Sequence, residues 1–92
     1  MMSPTARAEV VICNQKGLHA RASAKFVQCV ERFDANVRVT RGGETVGGDS
    51  IMGLMMLAAG LGAQIQISTT GREATEALEA LTKLVESRFG ED

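Results

Sequence analysis

The sequence predicts an α+β domain in which helices cover one face of an antiparallel β-sheet. Three observations carry this prediction: short β-rich stretches, longer stretches in which apolar residues recur every three or four positions, and a Gly-Gly pair between two β-rich stretches. Short strands, a hairpin and helices with one apolar side are typical of such a sheet. All 92 residues fit one domain, since domains usually hold roughly 50–250 residues.

The first half of the chain predicts the order strand, helix, strand, strand. A β-rich stretch over residues 7–13 predicts a strand, which the polar residues 14–17 end. Apolar residues at steps of four, four and three predict a helix over residues 20–33; they are Ala22, Phe26, Val30 and Phe33, with Val27 beside them. The pair Gly42-Gly43 joins two short strands as a hairpin, whose apolar positions are Val37, Val39 and Val46.

The second half predicts helix, strand, helix. Asp49 and Ser50 form a helix start signal, and a short apolar helix follows over residues 51–59. Strict alternation over residues 64–68 predicts a half-buried strand. A long helix is predicted over residues 72–89, with one apolar face made of Ala74, Leu78, Leu81, Val85 and Phe89. The predicted order is therefore βαββαβα.

Composition and charge exclude several classes of protein. A net charge of −1 and the absence of Trp and Tyr argue against a nucleic-acid binder. No run of about 18 apolar residues exists and the N-terminus lacks a signal peptide's apolar stretch, so we expect a cytoplasmic protein without membrane insertion. Cys13, Cys29 and one histidine cannot supply the four ligands of a structural zinc site. We expect no metal, no cofactor and no disulfide framework.

His19 is the only histidine, and it directly precedes the first predicted helix, at or next to the N-cap position. Free backbone N–H groups and the helix dipole favour an anion there, and Arg21 can place a guanidinium beside it. An imidazole nucleophile with these donors indicates a site for a transferable phosphoryl group. A solvent-exposed histidine that only caps the helix is the alternative. Lys16 and Lys25 make this end electropositive.

The second predicted helix carries the remaining candidates. Ser50 is either its N-cap or a phosphoacceptor, because a helix N-terminus tolerates a phosphate well. Helical spacing directs three residues to the core: Leu54, Leu57 and Ala58. It leaves three others nearer the outside: Ile51, Met52 and Met55. Flexible apolar side chains suit a surface that binds several partners, and core filling is the alternative.

Two segments resemble those of the HPr family, the phosphocarriers of the phosphoenolpyruvate-dependent phosphotransferase system. Residues 17–27, Gly-Leu-His-Ala-Arg-Ala-Ser-Ala-Lys-Phe-Val, resemble the family's active-site segment. Residues 49–57, Asp-Ser-Ile-Met-Gly-Leu-Met-Met-Leu, resemble its regulatory serine segment. The resemblance covers essentially the whole chain and implies an open-faced β-sandwich, in which three helices cover one side of four antiparallel strands.

The resemblance also implies a function. His19 would accept a phosphoryl group on Nδ1 from phosphorylated Enzyme I and pass it to EIIA domains, with Arg21 as the active-site arginine. Ser50 matches a serine that HPr kinase/phosphorylase modifies in many bacteria. The outer residues of the second helix and Lys25 would contact partners of a monomeric protein. The family usually has Pro where Ala22 stands, and we expect this change to alter local rigidity slightly rather than to abolish activity.

Three alternatives stay open at this point. A small phosphatase or phosphotransferase would use His19 as its nucleophile and act on a phosphate ester without Enzyme I. A regulatory binding module would keep its functions after loss of His19. Within the family, a nitrogen-related branch has a regulatory output instead of sugar uptake. No general base is evident near His19 in the sequence, which favours a carrier that is not itself an enzyme.

Overall fold

The computed structural model describes residues 4–91 and has the predicted order βαββαβα. The strands are β1 (Thr5–Val11), β2 (Asn36–Arg41), β3 (Glu44–Gly47) and β4 (Gln64–Thr70). The helices are α1 (Ala20–Val30), α2 (Ile51–Met56) and α3 (Ala74–Glu86), and a 3-10 turn, Arg88–Gly90, follows α3. No helix within residues 4–91 is long and apolar enough to cross a membrane.

The four strands form one antiparallel sheet in the order β1-β4-β2-β3. Alternate residues along the strands are buried. In the register of the sheet, Ile67 of β4 pairs with Ala8 of β1 on one side and with Val39 of β2 on the other. Helix α3 packs on β1 and β4, α2 packs on β3, and α1 lies between the two other helices. The opposite face exposes Arg7 and Arg38. The predicted sheet with three helices on one face is therefore confirmed.

The core lies between the helices and the covered face of the sheet. Its largest fully buried side chains come from helices, strands and connecting segments: Phe26, Phe89, Ile12, Leu54, Ile65, Ile67 and Leu81. The stripe predicted for α1 is buried except for Phe33, which is half-buried. In α3 Ala77 is buried and Leu78 is half-buried. Every helix therefore contributes side chains to one hydrophobic core.

Helices α1 and α2 end about three residues earlier than predicted. Both end in hydrogen bonds that span three residues, such as Phe33 N–H to the Val30 carbonyl at 3.1 Å and Ala58 N–H to the Met55 carbonyl at 3.1 Å. Ala58 has a φ of 52° and is exposed, so its predicted place in the core is wrong. Such bonds tighten a last turn and end the helix.

The strand and helix bounds also differ at β1, β4 and α3. Strand β1 begins two residues earlier and ends at Val11, and β4 extends by two residues to Thr70. Helix α3 ends at Glu86, and Phe89, which is 1% exposed, enters the core from a turn with a φ of 55°. The prediction of a continuous helix to Phe89 is wrong because the chain reverses after Ser87, although the side chain is in the core.

Candidate functional site

The N-terminus of α1 is open toward solvent. His19 is the N-cap residue, as predicted, but its side chain makes no capping hydrogen bond. Its carbonyl accepts the N–H of Ser23 at 2.8 Å, and the first turn of α1 contains no acidic residue. The N–H groups of residues 20–22 therefore remain available to an anion.

The loop before α1 is fixed against the segment that follows α2. Gly17 has a φ of +63°, and a Cβ atom there would lie 2.3 Å from the Ala59 carbonyl oxygen. Leu18 is buried, and its N–H donates to the same Ala59 oxygen at 2.9 Å. The Ser23 hydroxyl donates to the Leu18 carbonyl at 3.1 Å. These contacts determine where the next residue, His19, presents its ring.

A carboxylate contacts the imidazole ring, contrary to the expectation that no general base lies near it. Glu91 Oε2 is 2.5 Å from His19 Nε2, and the two side chains are 19% and 25% exposed. The hydrogen bonds formed within residues 4–91 include none to the other ring nitrogen, Nδ1. The ring therefore has one nitrogen engaged and the other free for chemistry.

Glu91 is itself held by a buried amide. Asn14 is 1% exposed, and its Nδ2 donates to Glu91 Oε1 at 3.1 Å and to the Gly17 carbonyl at 2.9 Å. The hydrogen bond from Asn14, and next the one from His19, lower the pKa of Glu91 below its ordinary 4.5. Glu91 is therefore a carboxylate at neutral pH, and protonation in acid would weaken its contacts.

Basic side chains surround His19, as the sequence predicted. Lys16, Arg21 and Lys25 line a pocket of about 580 Å³ together with His19 and Glu91. Arg21 is exposed and its side chain forms no hydrogen bond or ion pair with another residue in the range 4–91, so its guanidinium is available to an anion. Lys25 Nζ donates to the Phe89 carbonyl at 2.6 Å. Three cations against one carboxylate favour an anionic ligand.

Ser50 is the N-cap of α2, where its Oγ accepts the N–H of Gly53 at 2.9 Å. Leu54 and Leu57 are buried, as predicted. Four large side chains of α2 are 40–69% exposed: Ile51, Met52, Met55 and Met56. Core filling is therefore wrong as the role of the methionines.

One end of α2 lies beside the histidine site. Met55 lines a shallow groove of about 290 Å³ with Lys16 and His19. The two pockets of about 580 Å³ and 290 Å³ that His19 lines include none of Ser50, Ile51 and Met52. The apolar surface of α2 thus begins beside the histidine and extends away from it.

Asn14 and Glu91 were not among the site residues predicted from the sequence, and the exposed Met56 was not assigned to the outer side of the second helix. Asn14 and Glu91 are 77 residues apart, so no local spacing relates them. One signal was present: the apolar stripe of α3 reaches Phe89, and Gly90 follows it. A glycine after the last apolar position of a helix indicates a reversal of the chain, which would have directed attention to Glu91. Within residues 4–91, no group of three His, Cys, Asp or Glu side chains could hold a metal ion.

Comparisons with known proteins agree with the resemblance. A family model described as "PTS HPr component phosphorylation site" matches residues 6–87. Phosphocarrier protein HPr of Pseudomonas aeruginosa is 50% identical over 84 residues, which are 90% of this chain and 93% of that protein. Phosphocarrier protein NPr of Shewanella violacea is 39% identical over 83 residues, which are 90% and 91% of the two chains. The crystal structure of HPr-C-His from Thermoanaerobacter tengcongensis has a TM-score of 0.91 at 38% identity, covering 95% of this chain and 98% of that one.

Proposed function

Because the chain belongs to the HPr family of phosphotransferase-system phosphocarriers, we propose that His19 accepts a phosphoryl group from phosphorylated Enzyme I and passes it to EIIA domains. One observation supports this most directly. The ring of His19 stands at an uncapped helix N-terminus with Nδ1 free and the unpaired Arg21 in the same pocket. Nucleophile, anion donors and a guanidinium are thus together.

The transfer is one exchange of bonds at phosphorus. The Nδ1 lone pair of His19 forms the new P–N bond, while the bond from phosphorus to its donor atom on Enzyme I breaks and that atom keeps the electron pair. Backbone N–H groups of residues 20–22 and the Arg21 guanidinium stabilise the phosphoryl oxygens. Passage to an EIIA domain is the same exchange in the opposite direction.

The surroundings of His19 suit a carrier better than a hydrolase. Glu91 is the only carboxylate among the pocket residues of the described range, and both of its oxygens are engaged, with Asn14 and with Nε2 of His19. A carboxylate held in this way is poorly placed to activate a water molecule.

Incubation with phosphoenolpyruvate and magnesium, with and without Enzyme I, tests this proposal. We expect one phosphate per chain, at His19 and only when Enzyme I is present. Hydrolysis of p-nitrophenyl phosphate by the protein alone would instead favour the phosphatase alternative.

Arg21→Ala is expected to slow phosphoryl transfer without lowering stability. Loss of a hydrogen bond to a charged group costs roughly 1.5–3 kcal/mol, which corresponds to roughly 10- to 150-fold in rate. Arg21 is exposed, so Tm should change little. Rapid-quench transfer from Enzyme I measures the effect, and Arg7→Ala on the uncovered sheet face removes the same charge as a control. Equal rates for the two variants would contradict the assignment.

The partner surface that we propose is the α2 patch, defined as Ile51, Met52 and Met55. The side chains of the patch are 40–69% exposed, and Met55 adjoins His19 across the groove. Lys25 lies in the His19 pocket and adds a positive charge for Enzyme I and EIIA. Docking on this patch would bring a partner's reacting group to His19 while burying apolar surface. We propose that the chain meets these partners as a monomer.

Ser50 is proposed as a regulatory site for HPr kinase/phosphorylase. A phosphate there adds about −1.5 to −2 charges beside the α2 patch. The fold should accept the anion at the start of α2, whereas a docked partner would have to desolvate it.

Ser50→Asp and Met52→Glu are each expected to slow phosphorylation of His19 by Enzyme I about tenfold, because either variant brings a charge into the interface. Aspartate is a good N-cap and Met52 is 69% exposed, so Tm should stay near that of the unmodified protein. Val11→Glu, 53% exposed on β1, introduces the same charge elsewhere as a control. Normal transfer in both α2 variants would exclude this patch from the interface.

A regulatory output, as in the nitrogen-related branch, is the second candidate function. The likeness to a phosphocarrier named NPr is the observation that favours it. Phosphorylated chain offered in parallel to a sugar-specific and to a nitrogen-related EIIA domain would separate the two outputs. For a regulatory output, we expect faster transfer to the nitrogen-related EIIA domain than to the sugar-specific one.

A further inference from the structure

The end of the described chain folds back over the histidine site. We call residues 89–91 the C-terminal clasp. Lys25 Nζ donates a hydrogen bond to the Phe89 carbonyl at 2.6 Å, and Asn14 Nδ2 donates one to Glu91 Oε1 at 3.1 Å. The remaining carboxylate oxygen of Glu91 lies 2.5 Å from Nε2 of His19. Three contacts from α1 and the loop before it thus fix the clasp.

The clasp has an anchor in the core. Phe89 is 1% exposed and has a φ of 55°, and Arg88 before it has a φ of 60°. Two successive non-glycine residues in this region are strained, and such backbone persists only where the surrounding structure imposes it. Here the buried Phe89 ring imposes it, and the reversal turns Glu91 toward the pocket.

Asn14 supports Glu91 at a cost to its own hydrogen bonding. Its Nδ2 faces two oxygen acceptors, on Gly17 and Glu91, so the amide nitrogen and not the oxygen must point there. Its Oδ1 is buried with no partner among residues 4–91. An unpaired buried acceptor is unfavourable, and a role in orienting Glu91 and the loop before His19 accounts for its presence.

We propose that Glu91 is a positioning residue that holds His19 in the tautomer required for phosphoryl transfer. A carboxylate can only accept hydrogen bonds, so Nε2 must carry the proton and donate it to Glu91. In the neutral ring Nδ1 then has the free lone pair. This inference rests on the proposed function and adds to it the residue that selects the reacting nitrogen.

The transfer of the phosphoryl group to Nδ1 balances when Nε2 carries the proton. Nδ1 forms the P–N bond, Nε2 keeps its proton, and the donor atom keeps the electron pair of the bond that breaks. The ring therefore becomes positively charged during transfer. The pocket already holds Lys16, Arg21 and Lys25, and Glu91 supplies the negative charge that faces the ring.

Ring nitrogen shifts test the tautomer directly, because the chain has a single histidine. The full chain, labelled with 15N-histidine, is compared with Glu91→Ala and Glu91→Gln at a pH where the ring is neutral. We expect the Nε2–H form in the original chain and in Glu91→Gln, whose amide oxygen can accept the same bond. Glu91→Ala should move both nitrogen shifts toward the values of a mixture of tautomers.

Transfer from Enzyme I gives the second readout. Glu91→Ala should be at least about tenfold slower, the lower end of the loss expected for one hydrogen bond to a charged group, and Glu91→Gln should be intermediate. Glu79→Ala, on the exposed side of α3, removes a carboxylate elsewhere as a control. An Nδ1–H tautomer in the original chain, or unchanged shifts and rate in Glu91→Ala, would overturn the proposal. Failure of the proposed function would look different from failure of this proposal. The original chain would then take up no phosphate from Enzyme I, while the ring nitrogen shifts of His19 would still report its tautomer.

Discussion

His19→Ala is expected to take up no phosphate from phosphoenolpyruvate, magnesium and Enzyme I. His19 is the only histidine in the chain, and its Nδ1 has no competing partner in the described structure. Among the pocket residues of the described range, no other side chain is an imidazole, the nucleophile that this transfer requires. Intact-mass spectrometry before and after brief acid treatment measures both the uptake and its lability.

The fold should tolerate the His19→Ala substitution. A loss of phosphate uptake would therefore reflect loss of the nucleophile and not unfolding. The His19 side chain is 25% exposed and makes no capping hydrogen bond, and its only polar side-chain contact within residues 4–91 is with Glu91. Thermal unfolding of His19→Ala should therefore resemble that of the original protein. Full labelling of His19→Ala, or an acid-stable phosphate, would contradict the assignment. A regulatory activity that persists unchanged in this variant would favour a binding module with an incidental histidine.

Much of the fold is predictable because it depends on local periodicity. Alternation in β4 and the stripe of α1 each specify an element without knowledge of its neighbours. The hairpin between β2 and β3 was predicted from Gly42-Gly43, and the structure pairs Arg41 with Glu44 across it. The N-cap positions of His19 and Ser50 were predictable for the same reason, since helix starts carry local signals.

The ends of the helices and half of the site depend on contacts distant in sequence. Helix α2 stops at Met56 and exposes Ala58 where the chain turns to meet Gly17. Glu91 contacts His19 across 72 residues, and the packing of Phe89 in the core together with the hydrogen bond from Asn14 places the carboxylate there. The sequence pattern indicates that Phe89 is buried and that the chain reverses near Gly90, but it does not show which residue the Glu91 carboxylate then contacts, because that depends on how several elements pack together.

Gly17 is the point where the fold and the proposed chemistry depend on the same backbone contact. Its φ is +63°, and a Cβ atom would lie 2.3 Å from the Ala59 carbonyl oxygen and 2.7 Å from the Gly60 Cα. Both neighbours are backbone atoms that cannot rotate away. The Ala59 oxygen also accepts the Leu18 N–H at 2.9 Å. A side chain at position 17 must therefore displace the loop that presents His19.

Gly17→Ala is accordingly expected to lower both stability and transfer rate. The left-handed backbone alone costs alanine roughly 1–2 kcal/mol, and with the clash we expect about 3 kcal/mol, which corresponds to a fall in Tm of roughly 12–24 °C. A displacement of His19 by about 1 Å can reduce the transfer rate by about 100-fold. Circular dichroism melts and rapid-quench transfer below the melting range measure the two effects.

Gly42→Ala separates the two causes, because Gly42 has nearly the same φ, +60°, with no atom within 4 Å of a built Cβ. It carries the conformational cost without the clash and lies in the β2–β3 turn, outside the His19 pocket. We expect Gly42→Ala to lose only about 1–2 kcal/mol and to transfer phosphate at the original rate. Equal losses of stability in the two variants would show that the loop accommodates a Cβ at position 17. The contact with Ala59 would then not be what fixes the position of His19.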